Sequence, residues 1–251
     1  MKVIFKCLKL QLNILKEQAK EIKKEYKFIV LAITIALLIR TFLFEPFHIP
    51  SGSMKPNLVP GDKMFVTKYT YGFSSYSLPL KLRMFEGRFW QLSEMKRGDV
   101  VVFVPDIQNK NHKYYVKRIV GLPGDKIQMK NSDLYVNDIK NPLLPQKAQK
   151  SSYLYQETSP DGVVYNIQKK YTQDYNANNT DVFHVPDGHI FVMGDNRDRS
   201  SDSRFEDLSY VEIDRVIGKA RIIFFSSNKS IIKSILTPFS SIRGKRLLMK
   251  I

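Results

Sequence analysis

The chain has 251 residues, of which 43% are hydrophobic, and 40 Lys and Arg stand against 24 Asp and Glu, giving a formal net charge of +16. This composition excludes a disordered tail or a low-complexity polymer, and the length suits one or two packed domains. The single cysteine, Cys7, excludes an internal disulfide, and the four histidines have no zinc-site spacing. We therefore expect no structural metal site.

The positive charge is concentrated at the two ends of the chain. Residues 1–27 carry eight Lys and three Glu, whereas residues 219–251 carry eight Lys and Arg and no acidic residue. A nucleic-acid-binding module would interleave basic and aromatic residues on one compact unit. Terminal charge indicates first a membrane surface and second plain solubility, so we expect no nucleic-acid partner.

An apolar run follows the basic N-terminal segment. From Phe28 to Ile39 the only polar residue is Thr34, and residues 28–44 make a 17-residue stretch interrupted by Arg40. This length is at the short end for a helix that spans a bilayer, and an arginine can extend its charged end to the interface. We predict an uncleaved, single-pass transmembrane anchor at residues 28–44, with the lipid bilayer as its partner.

Two alternatives to an anchor are a cleaved secretory signal and a buried soluble helix. A cleaved signal requires small residues before the cut, but bulky and charged residues run from Ile39 to Phe44. Because positive charge stays on the cytoplasmic side, we expect residues 1–27 in the cytoplasm. The chain from residue 45 onward would then lie on the exported, periplasmic side of the inner membrane.

The rest of the chain indicates antiparallel β structure. Short apolar runs bounded by Gly, Pro or Asp lie at residues 100–104, 114–120, 189–193 and 216–225. They predict a mainly β core, an antiparallel barrel or sandwich, from residues 45–127 and 186–225. Residues 128–185 are richer in Asn, Gln, Ser and Tyr and predict an inserted β-rich subdomain, followed by a basic C-terminal tail at residues 226–251.

The first candidate for chemistry is a turn in which Ser51 and Ser53 lie on either side of Gly52. Glycine permits backbone conformations that expose a neighbouring side chain, although such a turn alone is most often a plain loop. Ser53 is nine residues after Phe44 and so lies within roughly 30 Å of the end of the predicted anchor. As a nucleophile its hydroxyl would need a base within hydrogen-bond reach.

Lysine is a better candidate for that base than histidine. The four histidines lie beside the turn, in polar stretches or at a strand start, and no GxSxG elbow is present. Strand alternation places Lys117 on one face with Tyr115 and Ile119, and Arg118 on the other. Burial among apolar groups can lower a lysine pKa by the ~3 units that a base near neutral pH needs. An exposed strand lysine is the alternative.

A third segment, Gly194–Arg204, is dense in charged and hydroxyl side chains and directly follows a predicted strand. Carboxylates and guanidinium groups at this density favour a hydrogen-bonded loop that holds short side chains in place. A calcium loop is the rival interpretation. It is disfavoured because the alternating positions after Asp195 are Arg197 and Arg199, which cannot bind a cation.

Taken together, these segments closely resemble the ordered sequence boxes of bacterial type I signal peptidases. The boxes lie at residues 45–54, 61–72, 97–103, 115–125 and 194–204. The resemblance implies a membrane-bound serine endopeptidase in which Ser53 is the nucleophile and Lys117 the general base, without a metal or cofactor. It also implies that Ser51 contributes to the oxyanion hole and that Ser200 orients Lys117.

The same resemblance implies supporting and substrate-contacting residues. The supporting loop would be formed by Asp195, Asn196, Arg197, Asp202 and Arg204, the last two as an ion pair. The substrates would be the signal peptides of exported preproteins, cut after small residues at −1 and −3. Shallow substrate pockets would be lined by Ile49, Met54, Leu58, Tyr115 and Val116.

Several interpretations stay open on the sequence alone. Residues 78–90, with Phe85, Phe89 and Trp90, form either a membrane-dipping loop or a packed flap, and residues 231–251 lie either on anionic lipid or in solvent. Two other protein classes are a self-cleaving repressor with the same Ser-Lys pair and a non-enzymatic anchored β domain. The repressor would carry a DNA-binding module in place of the anchor.

Overall fold

The computed structural model describes residues 2–78, 85–106, 114–149, 152–170, 176–206, 208–228 and 241–251. Contacts within the chain divide it into two units, Met1–Leu43 and Phe44–Ile251.

The first unit is one long helix, α1 (Lys2–Phe42). Good helix formers such as Leu, Lys, Glu and Ala dominate the segment, and it contains no Gly or Pro. Its apolar side chains from residue 28 onward are exposed, for example Phe28 at 68% and Leu37 at 58%. In the described part of the chain, no helical stretch combines the length and apolar character that a bilayer crossing requires.

The helix ends two residues before the predicted anchor does. The prediction extended the apolar helix to Phe44, but α1 ends at Phe42 and Phe44 begins the first strand. The reason is strand pairing, since Phe44 lies opposite Thr67 and Phe47 opposite Met64 in an antiparallel ladder. Apolar character alone did not distinguish the last helical turn from the first strand residue.

The second unit is mainly β. Its described strands are β1 (Phe44–His48), β2 (Asp62–Thr67), β3 (Val100–Phe103), β4 (Tyr115–Gly121), β5 (Lys126–Lys130), β6 (Asp133–Val136), β7 (Ile139–Lys140), β8 (Leu143–Gln149), β9 (Ser152–Thr158), β10 (Val164–Lys170), β11 (Phe183–His184), β12 (His189–Met193), β13 (Val211–Glu212), β14 (Val216–Ser226) and β15 (Met249–Lys250). Short 3-10 helices lie at Asn176–Asn178, Arg197–Arg199, Ile213–Arg215 and Gly244–Arg246. The four strands predicted from apolar runs are present, with ends shifted by at most one residue.

The main sheet has the strand order β1-β2-β14-β3-β4-β12-β13, and β15 pairs with β14. Every pair in it is antiparallel. The prediction of a mainly β, antiparallel domain is therefore confirmed. The order places β4, which carries Lys117, between β3 and β12, and Met193 at the end of β12 lies opposite Arg118.

Two smaller sheets come from the segment between β4 and β12. Their strand orders are β11-β5-β6-β7 and β10-β9-β8. They begin at Lys126 and end at His184, close to the residues 128–185 predicted as an insertion. Both belong to the same unit as the main sheet, and the proposed domain boundaries stay a prediction.

Buried side chains cover both faces of the main sheet around β3. Val100 and Val102 belong to one hydrophobic cluster, which we call the turn-side cluster because it also contains Met54 and Leu58. Val101 and Phe103 belong to a second cluster on the other face. A strand covered on both sides reads as a continuous apolar run, which is why β3 was recognisable in the sequence.

The segment predicted as a flap or membrane loop is described only in part, because residues 79–84 lie outside the described residues. Arg88 donates to the backbone carbonyl oxygens of Tyr71, Gly72, Ile213 and Val216, at 2.8 to 2.9 Å. This anchorage on the core agrees with a packed flap. Trp90 beside it is 74% exposed.

The basic tail is also described in part, since residues 229–240 lie outside the described residues. Contact with lipid or solvent stays a prediction for Ser241–Ile251, in which Leu248 is 71% exposed. These residues fold back onto the unit, where β15 pairs with β14 at Ile222 and Ile223. The physical reason is a buried carboxylate, Asp62, that the arginines of the tail neutralise.

Candidate active site

The turn that carries Ser53 is closed at its base by backbone hydrogen bonds. Ile49 N donates to Asp62 O and Gly61 N to Ile49 O, both at 2.9 Å. Met54 and Leu58 anchor the turn, because both are buried in the turn-side cluster. Ser53 itself is half-buried, and its hydroxyl lies 3.3 Å from that of Ser51.

Gly52 does not have the role expected of it. Its φ is not in the left-handed region, and a Cβ built there would approach only the side chain of Lys55, at 3.3 Å. The position in the turn that requires glycine is Gly61. Its φ is +93°, and a Cβ built there would lie 1.9 Å from Ser227 O. The conformation of the turn is therefore set at its closing end and not between the two serines.

Lys117 is buried in β4, with 4% of its surface exposed. It lies opposite Val101 of β3, and its Nζ is 5.9 Å from the ring centre of Tyr115, on the face that strand alternation predicted. Burial lowers the pKa of Lys117 to about 8, with Arg204 adding to the decrease and Asp202 and Asp195 opposing it. At that pKa about one molecule in five is neutral near pH 7.4, against about one in a thousand for an ordinary lysine.

The segment Gly194–Arg204 brings the Ser53 turn and β4 together. Asn196 donates its backbone N–H to Ser53 O and its side-chain amide to Gly52 O, both at 3.0 Å. A Cβ built on Gly194 would lie 2.2 Å from Ser200 Oγ and 2.6 Å from Ser53 O. Only glycine permits this approach, so Ser53, Ser200 and the end of β12 meet at Gly194.

One charged pair, Arg118–Asp195, holds this loop against β4, and a second, Asp202–Arg204, lies within the loop. Asp195 accepts two hydrogen bonds from Arg118, both 2.7 Å, and Asp202 accepts from Arg204 at 2.8 and 3.0 Å. The pairing of Asp202 with Arg204 is as predicted. Burial raises the pKa of Asp202, but Arg204 and then Lys117 more than offset it, so that pKa lies below its usual range. A carboxylate therefore faces the Lys117 side of the loop.

Ser200 and Ser53 differ in the state of their hydroxyl groups. Ser200 Oγ is buried and has no hydrogen-bond partner among the described residues. The Ser53 hydroxyl contacts Ser51, and within the described part of the chain no hydrogen bond joins it to the Lys117 amine. Ser200 Oγ and the Ser53 backbone carbonyl therefore lie beside Gly194, and the Lys117 amine interacts with Asp202 of the same loop.

Comparison with known proteins decides the family. The family model described as "Signal peptidase, peptidase S26" matches residues 22–225. A signal peptidase I of Rickettsia conorii is 41% identical over 224 residues, covering 83% of this chain and 81% of that protein. The chain belongs to the signal peptidase family, peptidase S26.

Two further signal peptidases are similar to this chain. A signal peptidase I of Rickettsia typhi is 40% identical over 224 residues, covering 83% of this chain and 82% of that protein. The crystal structure of a signal peptidase I from Enterococcus faecalis aligns with 51% of this chain and 97% of that chain, at 24% identity and a TM-score of 0.32.

The insertion supplies the loop Gly194–Arg204 with partners that the sequence did not reveal. Arg197 is fully buried and forms a double hydrogen bond with Glu157 of β9, one branch of which measures 2.9 Å. Tyr165 of β10 packs its ring 4.3 Å from the Arg118 guanidinium. Glu157 and Tyr165 lie in stretches without a recognisable motif, so no local signal identified them.

The structural role of Arg118 was also not predicted, because strand alternation indicated only that its side chain points away from Lys117. On that opposite face it is buried and donates hydrogen bonds to Asp195 and to Gly98 O, the latter at 2.6 Å.

Asn57 was not predicted as a site residue either. Its side-chain amide donates to Asp195 Oδ2 and Asn166 O at 2.6 Å each.

The residues predicted to line substrate pockets divide into two groups. Ile49, Met54 and Leu58 are at most 2% exposed and belong to the turn-side cluster. Tyr115 and Val116 are half-buried and retain surface that a substrate could contact. Substrate contact by any of the five stays a prediction, and for the first three it requires the turn to open.

Proposed function

We propose that this chain is a serine endopeptidase that removes signal peptides from exported preproteins, with Ser53 as nucleophile and Lys117 as general base. Membership of the signal peptidase family supports the substrate class. The observation that carries the assignment of the base is the burial of Lys117, which lowers its pKa to about 8. An amine with that pKa is available in its neutral form near neutral pH.

The proposed reaction begins with attack of Ser53 Oγ on the scissile carbonyl carbon while the hydroxyl proton passes to Lys117 Nζ. The resulting oxyanion accepts hydrogen bonds from the Ser53 backbone N–H and the Ser51 hydroxyl. Collapse breaks the peptide bond, and the departing amine takes the proton from Lys117. This leaves an ester between Ser53 and the signal peptide.

The second half of the reaction uses the same residues. Neutral Lys117 takes a proton from a water molecule, which attacks the ester carbon, and the proton then returns to Ser53 Oγ as the signal peptide leaves. The buried hydroxyl of Ser200, which has no partner among the described residues, is suited to orient the Lys117 amine. No metal or cofactor takes part in this scheme.

The proposal requires one rearrangement. The Ser53 hydroxyl, now 3.3 Å from Ser51, has to turn to Lys117 when a substrate binds. Hydrogen bonds between catalytic groups are often long or absent without substrate and form in the complex. The half-buried position of Ser53 leaves room for this change.

We assign the substrate an extended conformation with small residues at −1 and −3. Among the described strands of the main sheet β1 is terminal and pairs only with β2, which leaves its other edge as the candidate site for an added strand. The segment from Phe47 to Ser51 continues this edge toward Ser53. Tyr115 and Val116 of β4 are the half-buried candidates for contact with the substrate side chains.

We further propose that the enzyme acts at a membrane with its β unit on the exported side. The support is the row of exposed apolar side chains on α1, which includes Ile29, Leu31 and Leu38 at 51 to 57% exposure. Such a row buries itself in lipid or in a partner. The test is cell fractionation with an alkaline carbonate wash. Retention in the membrane pellet is expected, and complete release would contradict this location.

The direct test of the proposed function is cleavage of a preprotein by Ser53→Ala and Lys117→Ala variants. Each is expected to lose at least about 10³-fold in rate, because an intact nucleophile and base act as one unit. Ser201→Ala and Lys126→Ala are matched controls at exposed positions and are expected to retain activity. Circular dichroism checks that each variant is folded. Near-normal cleavage by either active-site variant would contradict the assignment.

A further inference from the structure

The described end of the tail packs on the turn that carries Ser53, although it lies beyond residues 22–225 that the family model matches. Met249 and Ile251 are half-buried and pack against the turn-side cluster, which contains Met54 and Leu58. β15 adds to the main sheet beside β14. Ser241–Ile251, which we call the C-terminal strap, therefore shares its hydrophobic contacts with the nucleophile turn.

The buried carboxylate of Asp62, at the closing end of the same turn, requires a positively charged side chain as its partner. The side chain of Asp62 is fully buried and accepts hydrogen bonds from Val59 N at 2.8 Å and Ser226 Oγ at 2.6 Å. Arg246 of the strap supplies two more, at 3.0 and 2.6 Å, in the paired geometry that arginine makes with a carboxylate. Arg243 lies farther away, at 3.6 Å.

Arg246 also reaches across the turn. Its Nη2 donates to Asn57 O at 2.6 Å, so one guanidinium group joins residues 57 and 62. The side chain of Asn57 donates to Asp195 on the opposite side. Asn57 is thus held between the strap and the loop whose Asn196 binds Ser53 O. Leu58 N, the next residue, bonds back to Met54 O at 2.9 Å, which continues the connection to the serine.

We propose that Arg246 is a positioning residue for Ser53: through Asp62 and Asn57, the C-terminal strap holds the nucleophile turn in register with Lys117. The inference rests on the proposed function for its kinetic consequence, but the contact itself does not. A positioning role predicts a loss in the rate of the chemical step, because the reacting atoms are misplaced while the strand edge that binds substrate is intact.

The first experiment compares full-length Arg246→Ala with wild type in detergent, using a preprotein substrate. We expect kcat to fall about tenfold to a hundredfold, with KM changed by less than about threefold. Lys245→Ala, an exposed neighbour in the strap, is the matched control and is expected to match wild type in both constants. Hydrogen exchange is measured in parallel. The amides of residues 54–62 should exchange faster, and those of β3 and β12 should not change.

A second variant guards against a folding defect. Arg246→Lys keeps a positive charge near Asp62 but cannot form the planar double contact and reach Asn57 O together. It is expected to fold and to show a smaller loss of kcat than Arg246→Ala. Wild-type kcat in a folded Arg246→Ala variant, or in Arg246→Lys where only that variant folds, would overturn the proposal. Faster exchange with unchanged kcat, or failure of both variants to fold, would also overturn it, since either makes Arg246 a structural residue only.

The two proposals fail in different ways. If wild type does not cleave preproteins while Arg246→Ala still loosens residues 54–62, the proposed function is wrong and the contact of the strap with the turn stands. If wild type cleaves and the Arg246→Ala variant is unchanged in kcat and in exchange, the strap proposal alone is wrong.

Discussion

At the scale of a single residue, the burial of Lys117 lowers the stability of the folded protein but favours the proposed chemistry. Burial disfavours its charged form, and the nearby carboxylates of Asp202 and Asp195 only partly restore it. Below pH about 8 the folded protein must hold a buried ammonium group, whereas the unfolded chain exposes it to water. The same burial makes the neutral amine, which a general base must be, available at moderate pH.

The pH profile of preprotein cleavage should show the titration of Lys117. Because only neutral Lys117 accepts a proton, kcat/KM is expected to fall about tenfold per pH unit below its pKa of about 8 and to level off above it. The measurement is initial rate between pH 6 and 9.5, with folding checked at each end by circular dichroism. An activity that stays flat down to pH 6 would contradict Lys117 as the base.

Replacement of Lys117 by methionine should stabilise the protein while abolishing activity. The pKa is about 8 in the folded chain against 10.5 for the free side chain, so between these values the unfolded chain binds more protons and wild-type stability rises with pH. Below pH 8 the full penalty applies, and Lys117→Met is expected to raise the unfolding free energy by up to about 3 kcal/mol.

This gain should shrink as pH rises from 8 to 10.5 and vanish above 10.5, where the lysine is neutral in both states. Urea unfolding at pH 6.5 and 9.5 measures it, and Lys126→Met at an exposed position is the control. Equal stability of Lys117→Met and wild type at pH 6.5 would mean that burial does not penalise the charge.

At the scale of elements, strands β9 and β10 of the insertion support the loop Gly194–Arg204. Glu157 of β9 pairs with Arg197, and the backbone of β10 bonds to the same loop, with Gln168 N donating to Asp195 O at 2.8 Å. Lys170 N donates to the side chain of Asp198. The segment predicted as a separate insertion therefore forms part of the site's framework.

Glu157→Gln should destabilise the protein strongly. It removes the carboxylate that pairs with the fully buried Arg197, and breaking one partner of a buried ion pair costs about 3–5 kcal/mol. Glu212→Gln removes a similar arginine contact, 3.0 Å to Arg215, at an exposed site and is expected to cost less than about 1 kcal/mol. Urea unfolding of the two variants side by side tests this, and equal losses would show that the insertion does not secure the loop.

At the scale of the whole molecule, local signals in the sequence predicted what local physics determines. The apolar run of β3, the limits of β12 and the face on which Lys117 lies follow from period and turn residues. The Asp202–Arg204 pair spans only two positions and was predicted as well. The role of Gly52 was misjudged because a glycine in a turn does not reveal its φ.

The contacts that sequence reasoning could not supply join distant positions. Glu157 and Arg197 are 40 residues apart, Asn57 and Asp195 are 138 apart, and Asp62 and Arg246 are 184 apart. Each pair depends on which strands the sheets bring side by side. A single sequence carries no mark of such a pairing, so the contact of the tail with the buried carboxylate of Asp62 was not predicted.

The lowered pKa of Lys117, on which its role as general base depends, is measured most directly by an NMR titration of its side chain in protein labelled at the lysine Cε carbon. The Lys117 signal is identified by its absence from the Lys117→Met spectrum. Because burial lowers the pKa of Lys117, we expect a titration midpoint near pH 8. A midpoint near 10.5 would contradict it, because the amine would then be protonated wherever the enzyme works.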